Sequence, residues 1–560
     1  MTRRIVLVGA TGAFGERLAR LLARWDDVEL VLAARSRAAL ENLRAEIGAA
    51  ETAVFDRADP AGLAGLRPWA VVDAAGPFQA SDLALARAAV AAGAHYVDIA
   101  DGRDFVAAFP AALDAEAKAA GVLAVTGASS TPALSNAALA AITRGWRAVD
   151  AVTVAISPGA RAPRGLSVVQ AILSYVGRPV RVFEAGRWTT QPGWSRPRRV
   201  AFPGLGDRWA SLCETPDLDL IPQRFAVRRE ALFLAGLELA PLHFGLWLLG
   251  WPVRLGLVRD LRPLAPALRG AAGLVERLGS DRGGMVVAAA GEGAQGGPRR
   301  ARWSLAAEAN AGPSTPVAAA AALLRGLKDG RIAARGAQAC VGLLDLDQIM
   351  AELGGLPIRT RVEAWAEAEG LFPRALGEAF AALPPSVAAA HAAGGGAFEG
   401  RGRARGARTP PARLARALLR LPQPGVYPGL SVRIAADAQG ETWTRSFGRR
   451  RFSSRLTATG GDGRFEERFG PVTFRFEADP RENGFRWRFV AWRLGPLPLP
   501  RMLAPRIRAR AFEAGGSYRF RVLTAYPLAG VLFAYAGRLA PRPQPETGTS
   551  FEAAPRRTKA

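Results

Sequence analysis

Hydrophobic and polar positions divide the chain into three regimes. Over the first ~130 residues, short runs of consecutive apolar side chains alternate with stretches in which apolar residues recur every three or four positions. The runs at 5–8, 28–33, 52–55, 69–75, 95–99 and 122–125 are too short for helices. They lack polar alternation, as strands buried on both faces require. Between them, 16–25 places Leu18, Leu21, Leu22 and Trp25 at helical spacing, and 82–92 and 109–120 are helical as well. Strand and helix in alternation predict an α/β, doubly wound parallel sheet over residues 1–140.

Residues 141–370 mix the two periods. Strand-like segments at 152–156 and 285–290 and an alanine-rich helix at 316–327 predict an α+β substrate domain. From 371 to 540 the pattern changes to short segments of period two, at 430–435, 441–447, 452–459, 463–469, 472–478, 485–494 and 517–526. That density of strands predicts an antiparallel, barrel-like C-terminal domain. The run 373–408 between them holds Pro384, Pro385 and a Gly-Arg-rich stretch at 400–406, expected to be a basic loop. The tail 541–560, rich in Pro, Thr and charge, is expected to be disordered.

One segment departs from its surroundings. Residues 231–253 carry a single charge, Glu238, with Arg228, Arg229, Arg254 and Arg259 at the ends. The length matches a bilayer, but Pro241 divides it and a central Glu opposes insertion. A monotopic membrane-facing flap, a buried tunnel or dimer helix, and a true span all stand as readings at this stage.

The most specific motif follows the first strand. Gly9, Gly12 and Gly15, with Thr11, Ala13 and Phe14 between them, join that strand to the first helix. Strand, glycine turn and helix in this order form a dinucleotide fingerprint. Gly9 permits the tight turn, Gly12 lets main chain approach a pyrophosphate, and Gly15 lets helix pack on strand. The helix N-terminus then faces the phosphates. At the end of the second strand stand Arg35 and Ser36, where a carboxylate would select NAD. A guanidinium there favours the 2′-phosphate of NADP, with NAD the alternative. Asp56 is placed to reach the adenine, and Ala75, Gly76 and Pro77 end the fourth strand beside the nicotinamide half. Near the strand ends, Tyr96, Asp98 and Ser129 are the side chains able to supply a proton or polarise an acceptor. No diagnostic catalytic motif accompanies them.

Gly9-Ala-Thr-Gly12, the strand end at 75–78, the segment 92–98, the stretch 165–177 and Gly312-Pro-Ser-Thr-Pro316 together resemble the saccharopine dehydrogenase-like oxidoreductases over about residues 1–350. The segment around Trp443, Arg445 and Phe447, with 469–471 and 497–500, resembles an uncharacterised domain that follows such reductases. The resemblance implies a nicotinamide-dependent redox fold and leaves the substrate open. It implies neither lysine metabolism nor any chemistry for the C-terminal domain.

Charge changes this picture little. The net charge is +25, but only three of 74 basic residues are lysines (Lys118, Lys328, Lys559), as GC-rich coding would give. No nucleic-acid partner is therefore inferred. Residues 371–560 hold 32 basic and 13 acidic side chains, so the excess lies mainly there. Arginines alternating with aromatics in that region suit either a pocket for an anionic amphiphile or a sheet with arginines on its wet face. Cys213 and Cys340 are unpatterned, and His95, His243 and His391 are the only histidines, so no metal site is expected. His95 is expected to be structural. With the first strand starting at once, no signal peptide is expected, which points to the cytoplasm, with the inner membrane face as a further site. The expected function is an NADP-dependent oxidoreductase for a hydrophobic or lipid-derived small molecule, with peripheral membrane contact and a homodimer as open partners. The alternative is a non-catalytic nucleotide-binding scaffold.

Overall fold

The computed structural model describes residues 2–48, 50–79, 81–162, 165–365, 370–392, 395–418, 421–437, 440–448, 450–459, 463–495, 497–526 and 530–541. The chain divides into two compact units, 1–366 and 367–560.

In the first unit, β1 (Arg3–Val8), β2 (Val28–Ala34), β3 (Glu51–Val54), β4 (Ala70–Asp73), β5 (His95–Asp98) and β6 (Leu123–Thr126) pair in parallel in the order 3-2-1-4-5-6, and Gly336–Ala339 adds a seventh strand beyond β6. Ile5, Val6, Leu7, Val71 and Val72 are fully buried, which is why these strands read as unbroken apolar runs. Strand order reverses between β1 and β4, where open sheets hold ligands. Val8 lies opposite both Ala33 and Asp73, so the turns after β1, β2 and β4 leave the sheet side by side.

The rest of this unit is built on a nine-stranded mixed sheet. Its central strands are Glu230–Ala235, Ala148–Ser157, Gly283–Glu292 and Pro298–Ala307. Glu230–Ala235 pairs parallel with Ala148–Ser157, and Ala231, Leu232, Phe233 and Leu234 are buried. This corrects the readings of 231–253 as one membrane span or one inserted helix. Its first residues form an interior strand, and only Ala240–Arg254 is helical. Glu238, between the two, accepts from the amides of Ala160 and Ser280 at 2.7 and 2.8 Å and pairs with Arg208 at 3.0 Å. Burial pushes its pKa up, but these partners outweigh that and hold it below the ordinary value. The charge is thus held inside the protein. No helix among the described residues is long and apolar enough to cross a membrane.

In the second unit ten strands run in chain order: Gly395–Arg405, Gly425–Asp437, Gly440–Phe447, Arg450–Ala458, Arg464–Phe469, Val472–Arg481, Gly484–Leu494, Arg506–Ala514, Ser517–Tyr526 and Gly530–Pro541. Each pairs antiparallel with the next, and the last pairs back onto the first. The result is a closed up-and-down barrel. Closure corrects the loop expected at 400–406, because Gly395–Arg405 is the strand that seals the seam. Glycine hides it in the sequence: a Cβ at Gly400 would lie 1.9 Å from the Arg538 carbonyl oxygen. Strands at 506–514 and 530–541 are hidden as well: the first alternates arginine with mostly small residues, and the second is a nearly unbroken apolar run without period two. Beyond Pro541 the expected disordered tail lies outside the described residues.

Inside the barrel, Phe447, Phe465, Phe476 and Phe485 are buried. The helix Leu371–Leu376 plugs one end, with Phe372 against Trp443, Phe465, Phe485 and Trp487. Its Leu371 amide donates to Glu441 at 2.7 Å. Arg445 points inward and pairs with Glu467 at 3.2 Å, so it is already neutralised. Arg401, Arg403, Arg486, Arg508, Arg510, Arg519, Arg521 and Arg538 are exposed. The arrangement is mainly a sheet with a wet arginine face.

Candidate functional site

The glycine turn is packed too tightly for side chains. Gly9 has φ +77°, and a Cβ there would lie 2.7 Å from the Ala75 nitrogen. A Cβ on Gly15 would fall 2.1 Å from the Gly9 carbonyl oxygen, so only glycine lets the helix Gly15–Leu22 sit against the turn. Gly12 differs: its Cβ would meet only the Gly9 oxygen, at 3.2 Å. The chain tolerates a side chain there, but a pyrophosphate at the helix N-terminus would not. Thr11, Ala13 and Phe14 complete this turn between β1 and the helix.

Arg35 leaves β2 with its side chain 84 % exposed, its nearest carboxylate being Asp56 at 4.0 Å. Ser36 caps the helix Arg37–Ile47 by accepting from the Ala39 amide at 3.3 Å. A 2′-phosphate placed here would meet a guanidinium, a hydroxyl and a helix N-terminus together. Asp56, just past β3, accepts from the Ala58 amide at 3.0 Å and stands on the opposite rim. Ala75, Gly76 and Pro77 line the exit of β4, where the Ala75 amide donates to Asp73 at 2.9 Å. These residues ring the C-terminal ends of β1, β2 and β4, the position at which open sheets hold ligands.

The three proton-handling candidates fare differently. Tyr96 is buried, stacks on Phe109 and donates to Asp73 at 3.2 Å. Asp98 is fully buried and accepts from the amides of Ala100 and Gly127 and from Thr126. Burial raises its pKa to about 7. Both hydrogen-bond within the core and the strand-end turns, and Asp98 keeps one carboxylate oxygen without a partner. Ser129 lies at the exit of β6, buried as well. His95 accepts from the Leu123 amide at 3.0 Å, a structural role. Among the described residues no cluster of metal ligands occurs.

A different group gathers over the ends of β4 and β5. Gln79 donates to Asp101 at 3.1 Å. Arg103 makes two 2.6 Å bonds to Asp219, donates to the Arg181 carbonyl at 2.8 Å and lies 3.6 Å from Glu214. This ties the nucleotide-type sheet to the mixed sheet. Beside it Cys213 donates to the Tyr175 hydroxyl at 2.8 Å, both residues buried. Burial raises both pKa values, with Asp101 and Glu214 adding to the rise, so the thiol and the phenol stay protonated at neutral pH. The sequence did not mark these residues, because they come together only through contacts between segments 22 to 116 positions apart.

A second buried carboxyl lies deeper. Asp217 accepts from Ser135 at 2.9 Å and Asn136 at 3.1 Å, and its other oxygen has no partner. Burial raises its pKa to about 7 despite the Ser135 bond. The folded protein therefore binds this proton more tightly than the unfolded chain. Its contribution to stability falls as pH rises from about 4 to about 7 and is flat above. Asp217→Asn keeps the acceptor and removes the titration. Between pH 5 and 8 the variant should lose less stability than wild type, by up to ~2.7 kcal/mol, in denaturant titrations. Equal losses would place the titration elsewhere.

Comparison with known proteins follows this division. Residues 5–125 match the family model described as saccharopine dehydrogenase NADP binding domain, and residues 383–539 match that of a domain of unknown function, DUF4166. No curated protein matches the chain. Among solved structures, the chain is similar to the saccharopine dehydrogenase (L-Glu forming) of Saccharomyces cerevisiae, with 14 % identity, 64 % of this chain and 100 % of that one covered, and a TM-score of 0.47. It is also similar to the DAP dehydrogenase of C. glutamicum (15 %, 63 % and 99 %, TM-score 0.36). An engineered D-amino acid dehydrogenase bound to NADP+ gives 16 %, 63 % and 99 %, with a TM-score of 0.34. The chain thus carries a saccharopine dehydrogenase-type NADP-binding domain over residues 5–125 and a DUF4166 domain over residues 383–539.

Proposed function

We propose that the first unit is an NADP-dependent oxidoreductase for a small molecule with a large apolar body, taken from a lipid surface. NADP would lie across Gly9–Gly15, with its 2′-phosphate on Arg35 and Ser36 and its nicotinamide half toward Ala75–Pro77. The bound cofactor supplies hydride chemistry. The chain's own contribution is to position the acceptor, exclude water and provide a proton.

The observation that carries this reading is Tyr175. Its hydroxyl lies 2.8 Å from the Cys213 sulfur, with both side chains buried in the cluster over the ends of β4 and β5. Burial keeps the phenol proton in place at neutral pH. A protonated phenol in the cluster over the ends of β4 and β5 can donate to a substrate oxygen or carbon that takes up negative charge. Arg103, locked by Asp219 and Glu214, fixes the helical side of the site rather than binding substrate itself.

The apolar character of the substrate follows from what surrounds Tyr175. The helix that ends in it, Leu166–Tyr175, packs with Ala265–Val275, next to Ala240–Arg254. Leu166, Val169, Ile172, Leu246, Trp247 and Leu268 are only partly buried there. Beyond them Leu248, Trp251, Leu255, Leu257, Leu274 and Leu278 are exposed. An exposed apolar surface of this kind suits an acyl or isoprenoid body better than a free amino acid.

Tyr175→Phe tests the assignment. The turnover rate kcat should fall by ~10²–10⁴ with KM and the NADP dissociation constant nearly unchanged. Because burial raises the phenol's pKa well above its ordinary value, kcat should show no alkaline-side loss from this group between pH 6 and 9. An unchanged kcat in Tyr175→Phe would remove Tyr175 as the donor.

A further inference from the structure

The barrel's two ends differ sharply in charge. At one end lie the described residues of the connections 437–440, 459–463, 479–484 and 513–517, where Asp479, Glu482 and Glu513 stand with Arg481 as the lone basic residue. At the other end lie the described residues of 405–426, 447–451, 469–472, 493–508 and 526–530. These contain no Asp or Glu at all. Arg405, Arg408, Arg413, Arg451, Arg501, Arg506 and Arg508 are exposed there. Random scatter of arginine from coding bias would not strip acids from five separate loops at one end only.

Apolar exposure is polarised in the same way. Among the described residues of this unit, the exposed large apolar side chains are Leu414, Val426, Leu494, Leu497, Met502 and Leu503. All six lie at the acid-free end. Met502 is 85 % exposed and Leu497 60 %. They sit on the short strand Leu497–Leu499 and the turn Arg501–Leu503, which form a projecting hairpin beyond the closed ring. Arg501 is anchored to the Val490 carbonyl at 2.7 Å, which fixes the base of this tip.

We infer that this end of the barrel docks on an anionic lipid bilayer. Leu497, Met502 and Leu503 would enter the acyl boundary, while Arg501, Arg506 and Arg508 would lie at the level of the phosphates. An aliphatic tip within an arginine collar matches an interface that is apolar below and negative above. It matches nucleic acid poorly, because stacking on bases calls for exposed aromatic rings, and the exposed tip residues are aliphatic. The inference rests on the proposal that the substrate comes from a lipid surface, and it gives the barrel the task of holding the chain there.

Flotation of the full-length chain with phosphatidylglycerol vesicles, against pure phosphatidylcholine vesicles, reads the docking. Wild type should float with the anionic vesicles, and salt should weaken the recovery, since screening acts over ~8 Å at physiological ionic strength. Met502→Glu combined with Leu503→Glu should cut vesicle affinity at least about tenfold, and Arg506→Glu with Arg508→Glu likewise, with an unchanged far-ultraviolet circular dichroism spectrum and unchanged thermal unfolding as evidence that the barrel still folds. A separate variant, Leu274→Glu with Leu278→Glu, alters the exposed helices of the first unit. If that variant loses flotation while the barrel variants keep it, the barrel inference fails but the lipid-surface reading stands. If wild type ignores anionic vesicles, both fail. Tighter binding to a single-stranded oligonucleotide than to vesicles would overturn the choice of partner.

Discussion

Gly15→Ala should abolish NADP binding and lower stability, because its methyl group would lie 2.1 Å from the Gly9 carbonyl oxygen and 2.8 Å from the Gly9 carbonyl carbon. Both contacts are to backbone, so no side-chain rotation relieves them. The helix must move off the turn, and its N-terminal amides move with it. Gly12→Val separates folding from binding. Its only close contact is 3.2 Å, which a small shift absorbs, yet the side chain occupies the approach of the pyrophosphate. Affinity should fall at least about a hundredfold, ~2.7 kcal/mol, with the melting temperature nearly unchanged. Calorimetric titration and thermal unfolding of both variants provide the check. A Gly12→Val chain that binds NADP within about threefold of wild type (~0.7 kcal/mol) would show that the phosphates lie elsewhere.

Arg35→Asp should reverse the choice of nucleotide. In wild type the guanidinium is exposed and its nearest carboxylate, Asp56, is 4.0 Å away, so it can turn to a 2′-phosphate at little expense. Charge-assisted hydrogen bonds of this kind contribute ~1.5–3 kcal/mol. Asp in its place would repel the phosphate, with Asp56 adding to the repulsion, and would accept from a free 2′-hydroxyl. The ratio of NADP to NAD affinity should drop by about a hundredfold or more. Fluorescence titration of both nucleotides measures it. A wild-type chain that prefers NAD would contradict the role given to Arg35.

What could be read in the sequence follows from where the signal is local. The parallel sheet was legible because Ile5–Val8 and Val71–Val72 are buried on both faces and the glycine turn lies within one stretch. The barrel was legible where bulky residues alternate, as in Gly440–Phe447 and Gly484–Leu494, and illegible at Gly395–Arg405, whose inward positions other than Phe398 are glycine and alanine. The segment at 231–253 misled because hydropathy does not distinguish an interior strand from a membrane segment. Only the pairing of Glu230–Ala235 with Ala148–Ser157 decides it. Tyr96 and Asp98 had suitable chemistry and the right strand, but alternation along β5 gives no measure of depth, and both proved buried. Tyr175 and Cys213 meet across 38 positions and Arg103 and Asp219 across 116. No periodicity encodes such contacts.

Direct hydride transfer tests the central claim. Full-length protein is incubated with NADPH carrying deuterium at the transferable nicotinamide position and a total lipid extract, and the products are read by mass spectrometry. The account predicts deuterium in an apolar product, formed by wild type and strongly reduced in Tyr175→Phe and in Gly12→Val. Deuterium that stays entirely on the nucleotide, although NADPH binds, would contradict it and leave the first unit a nucleotide-binding scaffold.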